Sequence, residues 1–226
     1  MVNRFITEGQ LEMQEAAFDI WQKNCIKFIE TLHGNGLGHA LEDVQRTSPH
    51  IKIVHIDCLI NMSIRNVSVE ILRHATNVKF SNLSHLSISI DRLLIVVKER
   101  LKEDLRNQKL LIVIDHLDVL NRHQLLRLIQ LLKFRTPPCG IILRSTTEHR
   151  LKLLKKEPDL HDSLYINLPS QKATIIEPMS FEERKIFIRD IHGVSNELFV
   201  KDLARLNCGF TKMLKFIQGY KNIGGK

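Results

Sequence analysis

The chain has 226 residues, of which 43% are hydrophobic and 26% are charged, with a net charge of +8 and a pI near 9.4. These fractions are those of a globular domain with a sizeable core, and they exclude a disordered tail. The excess of positive charge favours a polyanionic partner.

An apolar run at residues 26–32 predicts a first β-strand, and a glycine-rich turn follows it. The turn contains Gly34, Gly36 and Gly38, and helical spacing begins directly after it. This order is that of a phosphate-binding loop, in which backbone N–H groups and a helix N-terminus hold phosphates. We expect the three glycines to lie at a nucleotide, and a tight turn without a ligand is the alternative.

The side chains that give such a loop its chemistry are replaced. In the motif G-x-x-x-x-G-K-[ST], the lysine neutralises phosphates and the hydroxyl holds Mg²⁺. With Gly38 aligned to the second glycine, His39 takes the lysine position and Ala40 takes the hydroxyl position. His33 stands in place of the first glycine. The loop therefore keeps its shape but loses its cation and its metal anchor.

Short apolar runs and helical periodicity alternate along the following sequence. Further strands are predicted at residues 51–57, 110–115, 140–145 and 164–168. Helices are predicted between them at residues 41–47, 63–77, 90–106 and 124–134. This alternation predicts an α/β fold with a doubly wound parallel sheet of about five strands.

The strand at residues 110–115 carries a second motif. Its consecutive apolar residues indicate burial on both faces, and it ends in Asp115. An aspartate at this end of a parallel strand lies where α/β sheets bind ligands, and in nucleotide hydrolases it holds Mg²⁺. The next residue, His116, stands where a glutamate normally activates water. Asp118 is expected to cap a helix that begins at His123.

The pattern becomes helical after the fifth predicted strand. A last apolar run and three helices are predicted at residues 175–178, 180–191, 196–206 and 212–220. Ser180 and Glu183 form a capping box at the first of these helices, and Gly193 ends it. We expect an α/β core over residues 1–171 and a small helical lid over residues 172–226.

Taken in order, these segments resemble AAA+ ATPases of the kind found in transposition target selection and, more distantly, in origin-recognition initiators. The segments that carry the resemblance are FIETLHGNGLGHAL, LLIVIDHLDVL, CGIILRSTTEHRLKLL and NCGFTKMLKFI. They match the first strand and loop, the Walker B strand, the sensor 1 strand with its following helix, and the lid. The resemblance covers nearly the whole chain and implies ATP or ADP as the ligand, with Asp115 holding Mg²⁺.

The resemblance also implies roles for residues outside the loop. A polar residue that ends the sensor 1 strand contacts the γ-phosphate or the attacking water, and Ser145, Thr146 and Thr147 match it. Gly209 and Lys212 match a G-x-x-R motif in the lid, although lysine lacks the bidentate fork of arginine.

The departures from the family fall on four catalytic positions, which are occupied by His39, Ala40, His116 and Lys212. Phosphoryl transfer depends on positioning and electrostatics, so these losses together argue against efficient hydrolysis. We expect a degenerate ATPase in which Asp115, His116 and Ser145 mark the former catalytic positions. An active ATPase, in which the helix N-terminus and Lys212 compensate for the missing loop lysine, is the alternative.

Basic residues gather in two parts of the sequence. After the fourth predicted strand they are Arg144, Arg150, Lys152, Lys155 and Lys156. In the lid they are Arg184, Lys185, Arg189, Lys201, Arg205, Lys212, Lys215, Lys221 and Lys226. Such residues predict non-specific binding of duplex DNA, while a 6% aromatic content disfavours stacking on single strands. The resemblance also implies that the chain assembles with further copies of itself or with partner AAA+ subunits. The alternative function is a protein scaffold without a nucleic-acid role.

The cysteines, the histidines and the lengths of the apolar runs give expectations about metal binding and cellular location. The four cysteines are scattered, so we expect buried free thiols. The eleven histidines contain no zinc motif, although His39 and His116 could approach each other across the site. The apolar runs are shorter than the roughly 20 residues that span a bilayer, and no signal segment opens the chain. We expect no membrane partner and a cytoplasmic location, associated with the nucleoid if the source is bacterial.

Overall fold

A five-stranded parallel sheet with the order β2-β3-β4-β1-β5 forms the centre of the fold. The computed structural model describes residues 5–32, 34–58, 63–75, 89–104, 109–133, 138–168, 174–206 and 208–224. The strands are β1 Ile26–Glu30, β2 Lys52–Asp57, β3 Leu110–Asp115, β4 Gly140–Ser145 and β5 Thr174–Ile175. The predicted doubly wound parallel sheet is confirmed.

Helices connect the strands and make up the C-terminal part of the chain. They are α1 Glu8–Lys23, α2 Leu37–Thr47, α3 Ile64–Ala75, α4 Ile90–Asp104, α5 Arg122–Leu132, α6 Thr147–Lys156, α7 Pro158–His161, α8 Phe181–Ile186, α9 Glu197–Arg205 and α10 Phe210–Asn222. Short π-helical segments, Asp162–Ile166 and Phe187–Ile191, extend α7 and α8. The predicted helices are therefore present with shifted ends, and residues 76–77, 105–106 and 134 of the predictions lie outside the described residues.

The position of β3 in the sheet follows from its composition. Leu110, Ile112 and Ile114 pack into a core with the helices α3 to α7 on one face. Leu111 and Val113 pack into a second core with α1 and α2 on the other face. Because both faces are covered, an uninterrupted apolar run is required, and that run is the feature from which the strand is predicted.

The C-terminal helices have a core of their own, which includes Met179, Phe187, Ile188, Val200, Leu203, Met213 and Ile217. Phe5 packs against it, with its ring centre 5.6 Å from that of Phe187. The predicted capping box of Ser180 and Glu183 is confirmed at the start of α8. The predicted boundary between residues 171 and 172 lies outside the described residues, so the division into core and lid stays a prediction.

The strand predicted at residues 164–168 is wrong. These residues lie in and just after the π-helical segment Asp162–Ile166, and the fifth strand is Thr174–Ile175 instead. Tyr165 turns inward from this segment, and its ring centre lies 3.9 Å from that of Phe28. A short apolar run that is buried by a helix has the same composition as a buried strand, so periodicity alone cannot separate them.

Two helix starts also differ from the predictions. Helix α1 is absent from the predicted elements, although Thr7 and Gln10 form a complete capping box at its start. Asp118 does not cap α5, because it lies in the short turn Leu117–Val119, too far upstream. Asn121 caps that helix and accepts the N–H of Gln124 at 3.0 Å.

The predicted buried free thiols are confirmed. All four cysteines are buried and none is in a disulfide. Burial raises the pKa of Cys58 and Cys139 to about 12, which makes them unreactive. Within the described ranges, no helix is long and apolar enough to cross a membrane.

Candidate functional site

A cavity of about 600 Å³ opens at the carboxyl edge of the sheet, where open α/β sheets bind ligands. Its polar lining includes Gly34, Asn35, Gly36, Gly38, His39, His55, Asp57, Asp115, His116 and Arg144. Its apolar wall consists of Phe5, Phe187, Ile191, Phe210 and Leu214. The glycine loop and the Walker B strand therefore meet at one cavity.

The loop between β1 and α2 has the geometry of a phosphate-binding turn. Gly34 and Gly36 both have a φ of +78°, a conformation that favours glycine. A Cβ atom at Gly36 would clash with the side chain of Gln10, whereas one at Gly38 would meet nothing within 4 Å. Since α2 begins directly after Gly36, its first N–H groups lie at the cavity. His33 lies outside the described residues.

The two altered positions of the motif occupy different surroundings. The side chain of His39 is 70% exposed and lines the cavity, with Nδ1 3.7 Å from Oε2 of Glu42. Ala40 is 1% exposed, and its N–H donates to the carbonyl of Gly36 at 3.0 Å. Neither position provides the permanent charge of a lysine or the oxygen ligand of a serine.

Asp115 lies at the centre of a buried polar cluster. Its Oδ1 accepts hydrogen bonds from Nη1 of Arg144 at 2.5 Å and from the backbone N–H of His116 at 2.6 Å. Nε2 of His55 lies 3.4 Å from Oδ2. Burial alone would raise the pKa of Asp115, but His55, Arg144 and His116 outweigh it and lower the pKa to about 2. The carboxylate is therefore charged at neutral pH and already has a cationic partner.

Arg144 is the residue of β4 that lines the cavity. Its side chain is 4% exposed, and its Nη2 donates to the carbonyl of Leu32 at 2.9 Å. Its Nε is buried and has no hydrogen-bond partner among the residues that the structure describes. This burial does not suit the predicted contact of Arg144 with duplex DNA, because β4 is buried throughout and turns this side chain inward.

His116 bridges the ends of two strands. Its backbone is left-handed, with φ 55° and ψ 45°, which is uncommon for a residue other than glycine. This conformation directs the ring towards β2, where Nδ1–H donates to Oδ1 of Asp57 at 2.5 Å. Asp57 is the parallel-sheet neighbour of Asp115, so the two acids lie side by side at the sheet edge.

Ser145 and Lys212 are not among the residues that line the cavity. Ser145 is 2% exposed, and its Oγ lies 2.7 Å from Nδ1 of His149. Burial is the main cause that lowers the pKa of His149, so the ring is neutral near pH 7. Lys212 is exposed on α10, and its neighbours Thr211 and Leu214 face the cavity instead.

The helix α10 contacts the loop directly. The N–H of Phe210 donates to the carbonyl of Gly34 at 2.9 Å. The rings of Phe210 and Phe187 pack edge to face, with centres 4.9 Å apart, and Phe5 packs on the other side of Phe187. These aromatic rings give the cavity an apolar surface beside the glycine loop.

Several cavity residues are absent from the predicted site. Asp57 ends an apolar strand in the same way as Asp115, and this signal could have identified both Asp57 and His55, two residues earlier. Phe5 and Phe187 carry no such signal, because only the tertiary packing of the N-terminal segment against the lid brings them together.

The donors at this site do not fit Mg²⁺. The ion needs octahedral oxygen ligands and usually takes one or two of them from carboxylates. Oδ1 of Asp115 is occupied by Arg144 and Oδ1 of Asp57 by His116, and Ala40 has no side-chain oxygen. Within the described part of the chain, no group of three or more His, Cys, Asp or Glu residues is placed to hold a metal ion, and this also applies to the zinc site considered at His39 and His116.

The predicted basic cluster after β4 is reduced to lysines. Nε of Arg150 lies 2.5 Å from Oε1 of Glu30, which is 1% exposed, so this arginine neutralises a buried acid. Arg184 is buried in the lid and donates to the carbonyls of Met179 and Ala204. The exposed basic residues of α6 are Lys152, Lys155 and Lys156.

Comparison with known proteins finds solved structures of the same fold but no matching family. No protein-family model and no curated protein matches the chain. Cdc6p from Pyrobaculum aerophilum superposes with a TM-score of 0.62 at 17% identity, over 89% of this chain and 55% of that chain. The Aeropyrum pernix ORC1 protein in complex with DNA has a TM-score of 0.66 at 14% identity, over 96% and 60%. The Aeropyrum pernix ORC2 protein in ADPNP and ADP complexes has a TM-score of 0.59 at 12% identity, over 100% and 66%.

These similarities show a shared fold. The chain spans less than two thirds of the length of each of the three solved chains. Their sheet and helices match this chain while their sequences differ at more than four positions in five.

Proposed function

We propose that this chain is a nucleotide-binding domain of the AAA+ fold in which ATP hydrolysis is lost. One observation carries the proposal: Asp115, at the Walker B position, forms a buried ion pair with Arg144 beside a turn in which Gly34 and Gly36 have positive φ. The turn and the start of α2 provide phosphate binding, whereas the ion pair removes the acid that would hold the catalytic metal.

The cavity supports nucleotide binding by its size and by its two unlike walls. Its volume of about 600 Å³ suits a ligand of nucleotide size. The glycine turn and Arg144 offer N–H donors to phosphates, and Phe5, Phe187 and Phe210 offer an apolar surface to a base. The similar ORC2 protein is known in ADPNP and ADP complexes, which agrees with this assignment.

The arrangement of the catalytic positions supports the loss of hydrolysis. His116 takes the position of the glutamate that would activate water, and its ring is directed to Asp57, with Nδ1 2.5 Å from Oδ1 of that residue. Ser145 would have to contact the γ-phosphate, but it is buried against His149. Since phosphoryl transfer needs each of these groups in position, their combined absence leaves binding without turnover.

A phosphate-release assay tests this loss of hydrolysis. The purified chain should release no phosphate from ATP above a buffer control, with or without Mg²⁺. A turnover of about 1 per second that disappears in Asp115→Ala would instead establish the active ATPase.

Nucleotide binding can be tested by restoring the loop cation. His39→Lys should strengthen ADP binding, because it places a permanent charge at the cavity. His123→Lys, at an exposed position on α5, adds the same charge elsewhere and should leave the affinity unchanged. Equal effects of the two substitutions, or no ADP binding by any of the three proteins, would contradict a nucleotide site at this loop.

The proposal extends to duplex DNA as a partner, together with further copies of the chain or partner AAA+ subunits. The exposed lysines of α6 and the net charge of +8 support phosphate-backbone contacts. The similar ORC1 protein was solved in complex with DNA, which agrees with this partner. The corresponding role is in a transposition or replication-type complex in the cytoplasm.

A salt titration of duplex binding tests the DNA partner. Affinity should fall steeply between about 50 and 200 mM salt, and replacing Lys152, Lys155 and Lys156 with alanine should reduce the log-log slope by about 2 to 3. The matched control replaces three exposed lysines elsewhere, Lys23 on α1, Lys102 on α4 and Lys133 at the end of α5, and should leave the duplex affinity higher than in the test variant. Absence of binding at low salt, also with a partner ring present, would favour a protein scaffold instead.

A further inference from the structure

The ion pair of Asp115 and Arg144 occupies the place where the fold would otherwise hold a metal. Both side chains are at most 5% exposed, and the contact between Nη1 and Oδ1 is 2.5 Å. A divalent ion bound to this carboxylate would lie against a guanidinium that cannot lose its charge. Mutual repulsion and the missing hydroxyl at Ala40 therefore both oppose Mg²⁺.

Arg144 has one N–H group that no described residue binds. Its Nη1 is bound to Asp115 and its Nη2 to the carbonyl of Leu32, while its buried Nε has no partner among the described residues. A buried N–H without an acceptor is costly, and a phosphate oxygen is a suitable acceptor. Because Arg144 lines the cavity together with Gly36 and Gly38, it lies on the same side as the loop that would cradle that phosphate.

We propose that the cavity binds its nucleotide without a divalent metal, and that the guanidinium of Arg144 is the cation that faces the phosphates. This inference rests on the proposed nucleotide site and adds the chemical form of its ligand, the free nucleotide rather than its Mg²⁺ complex. In place of the cation that the loop lacks at His39, β4 presents a guanidinium that is paired with Asp115 and is fixed on both sides by hydrogen bonds.

The direct test is ADP binding to the wild-type chain by calorimetry, once in excess EDTA and once in millimolar Mg²⁺. We expect the two dissociation constants to agree within about threefold. Binding that is about tenfold or more tighter with Mg²⁺ would overturn the metal-free site while leaving the nucleotide site intact. No binding in either condition would overturn the proposed function as well, so the two failures are distinguishable.

A pair of variants assigns the effect to Arg144. Arg144→Met combined with Asp115→Asn removes both charges without leaving one of them buried alone, and it should weaken ADP binding in EDTA by about tenfold or more. Arg122→Met combined with Glu157→Gln removes an exposed ion pair away from the cavity and should leave the affinity unchanged. Unchanged ADP binding in the Arg144 variant would overturn the role of its guanidinium.

A further double variant tests whether Arg144 is the group that excludes Mg²⁺ from the cavity. Arg144→Asn combined with Ala40→Thr frees the Asp115 carboxylate and adds a hydroxyl at the loop, so ADP binding should become about tenfold tighter with Mg²⁺ than with EDTA. Its fold is verified by circular dichroism before titration. If this folded variant binds ADP equally well in both conditions, Arg144 is not the group that excludes the metal, and the proposal fails.

Discussion

Removing either partner of the ion pair between Asp115 and Arg144 should destabilise the protein strongly. Arg144→Met would leave a charged carboxylate in a site where its side chain is 5% exposed. Breaking a buried pair in this way typically costs 3–5 kcal/mol, and we expect about 3 kcal/mol because His116 and His55 still contact Asp115. For a chain of this length, that loss lowers the melting temperature by about 6–12 °C.

The double variant separates the ion pair from the packing of its members. Asp115→Asn combined with Arg144→Met leaves no uncompensated charge, so it should lose less stability than the sum of the single variants by about 2 kcal/mol. Urea unfolding of the four proteins, followed by circular dichroism, provides this coupling energy. The exposed pair of Arg122 and Glu157 serves as the control, with an expected coupling below about 1 kcal/mol. A coupling no larger than that of the control would refute the reasoning.

Three further predictions concern pH, a helix cap and a close backbone contact. The folded pKa of Asp115 is about 2 against an ordinary 3.8, so the stability that its charge contributes is complete above about pH 4 and is lost as the pH falls towards 2. Between about pH 5 and pH 3, the free energy of unfolding of the wild type should fall by about 1 kcal/mol more than that of Asp115→Asn. Parallel pH curves for the two proteins would contradict this. Asn121→Ala removes the cap of α5 and should cost about 1 kcal/mol in urea unfolding, whereas a loss below about 0.3 kcal/mol would exclude that cap. Gly140→Ala would place a Cβ atom 2.7 Å from the carbonyl oxygen of Ile20 and should cost about 1–3 kcal/mol of stability. The control Gly219→Ala adds a Cβ atom with no other atom within 4 Å and should be neutral or stabilising. Equal effects of the two substitutions in thermal melts would contradict the close contact at Gly140.

The sheet could be predicted from the sequence because its central strands are buried on both faces. The apolar runs at residues 110–115 and 140–145 follow directly from that burial, and they are observed with those bounds. The run at residues 164–168 satisfies the same criterion but is buried by a π-helical segment, so composition could not distinguish the two cases. Helix α1 carried a readable start signal in Thr7 and Gln10.

The site could be predicted only in part. Asp115 and the loop glycines lie at the cavity because strand ends and tight turns have local signatures. The inward direction of Arg144 has no local signature, because a basic residue near the end of a strand is usually exposed. Its partner, Asp115, is 29 positions away in the sequence, and only the pairing of β3 with β4 brings the two together. The same holds for Arg150 and Glu30, whose ion pair withdraws an arginine from the predicted surface.

Equilibrium dialysis against ATP, followed by chromatographic identification of the nucleotide on the protein side, tests the central claim most directly. The account predicts an excess of nucleotide over the buffer side, recovered as intact ATP after prolonged incubation. Accumulation of ADP would show that the altered loop, His116 and the ion pair at Asp115 do not prevent hydrolysis. Absence of any excess nucleotide would show that the cavity at the glycine loop is not a nucleotide site.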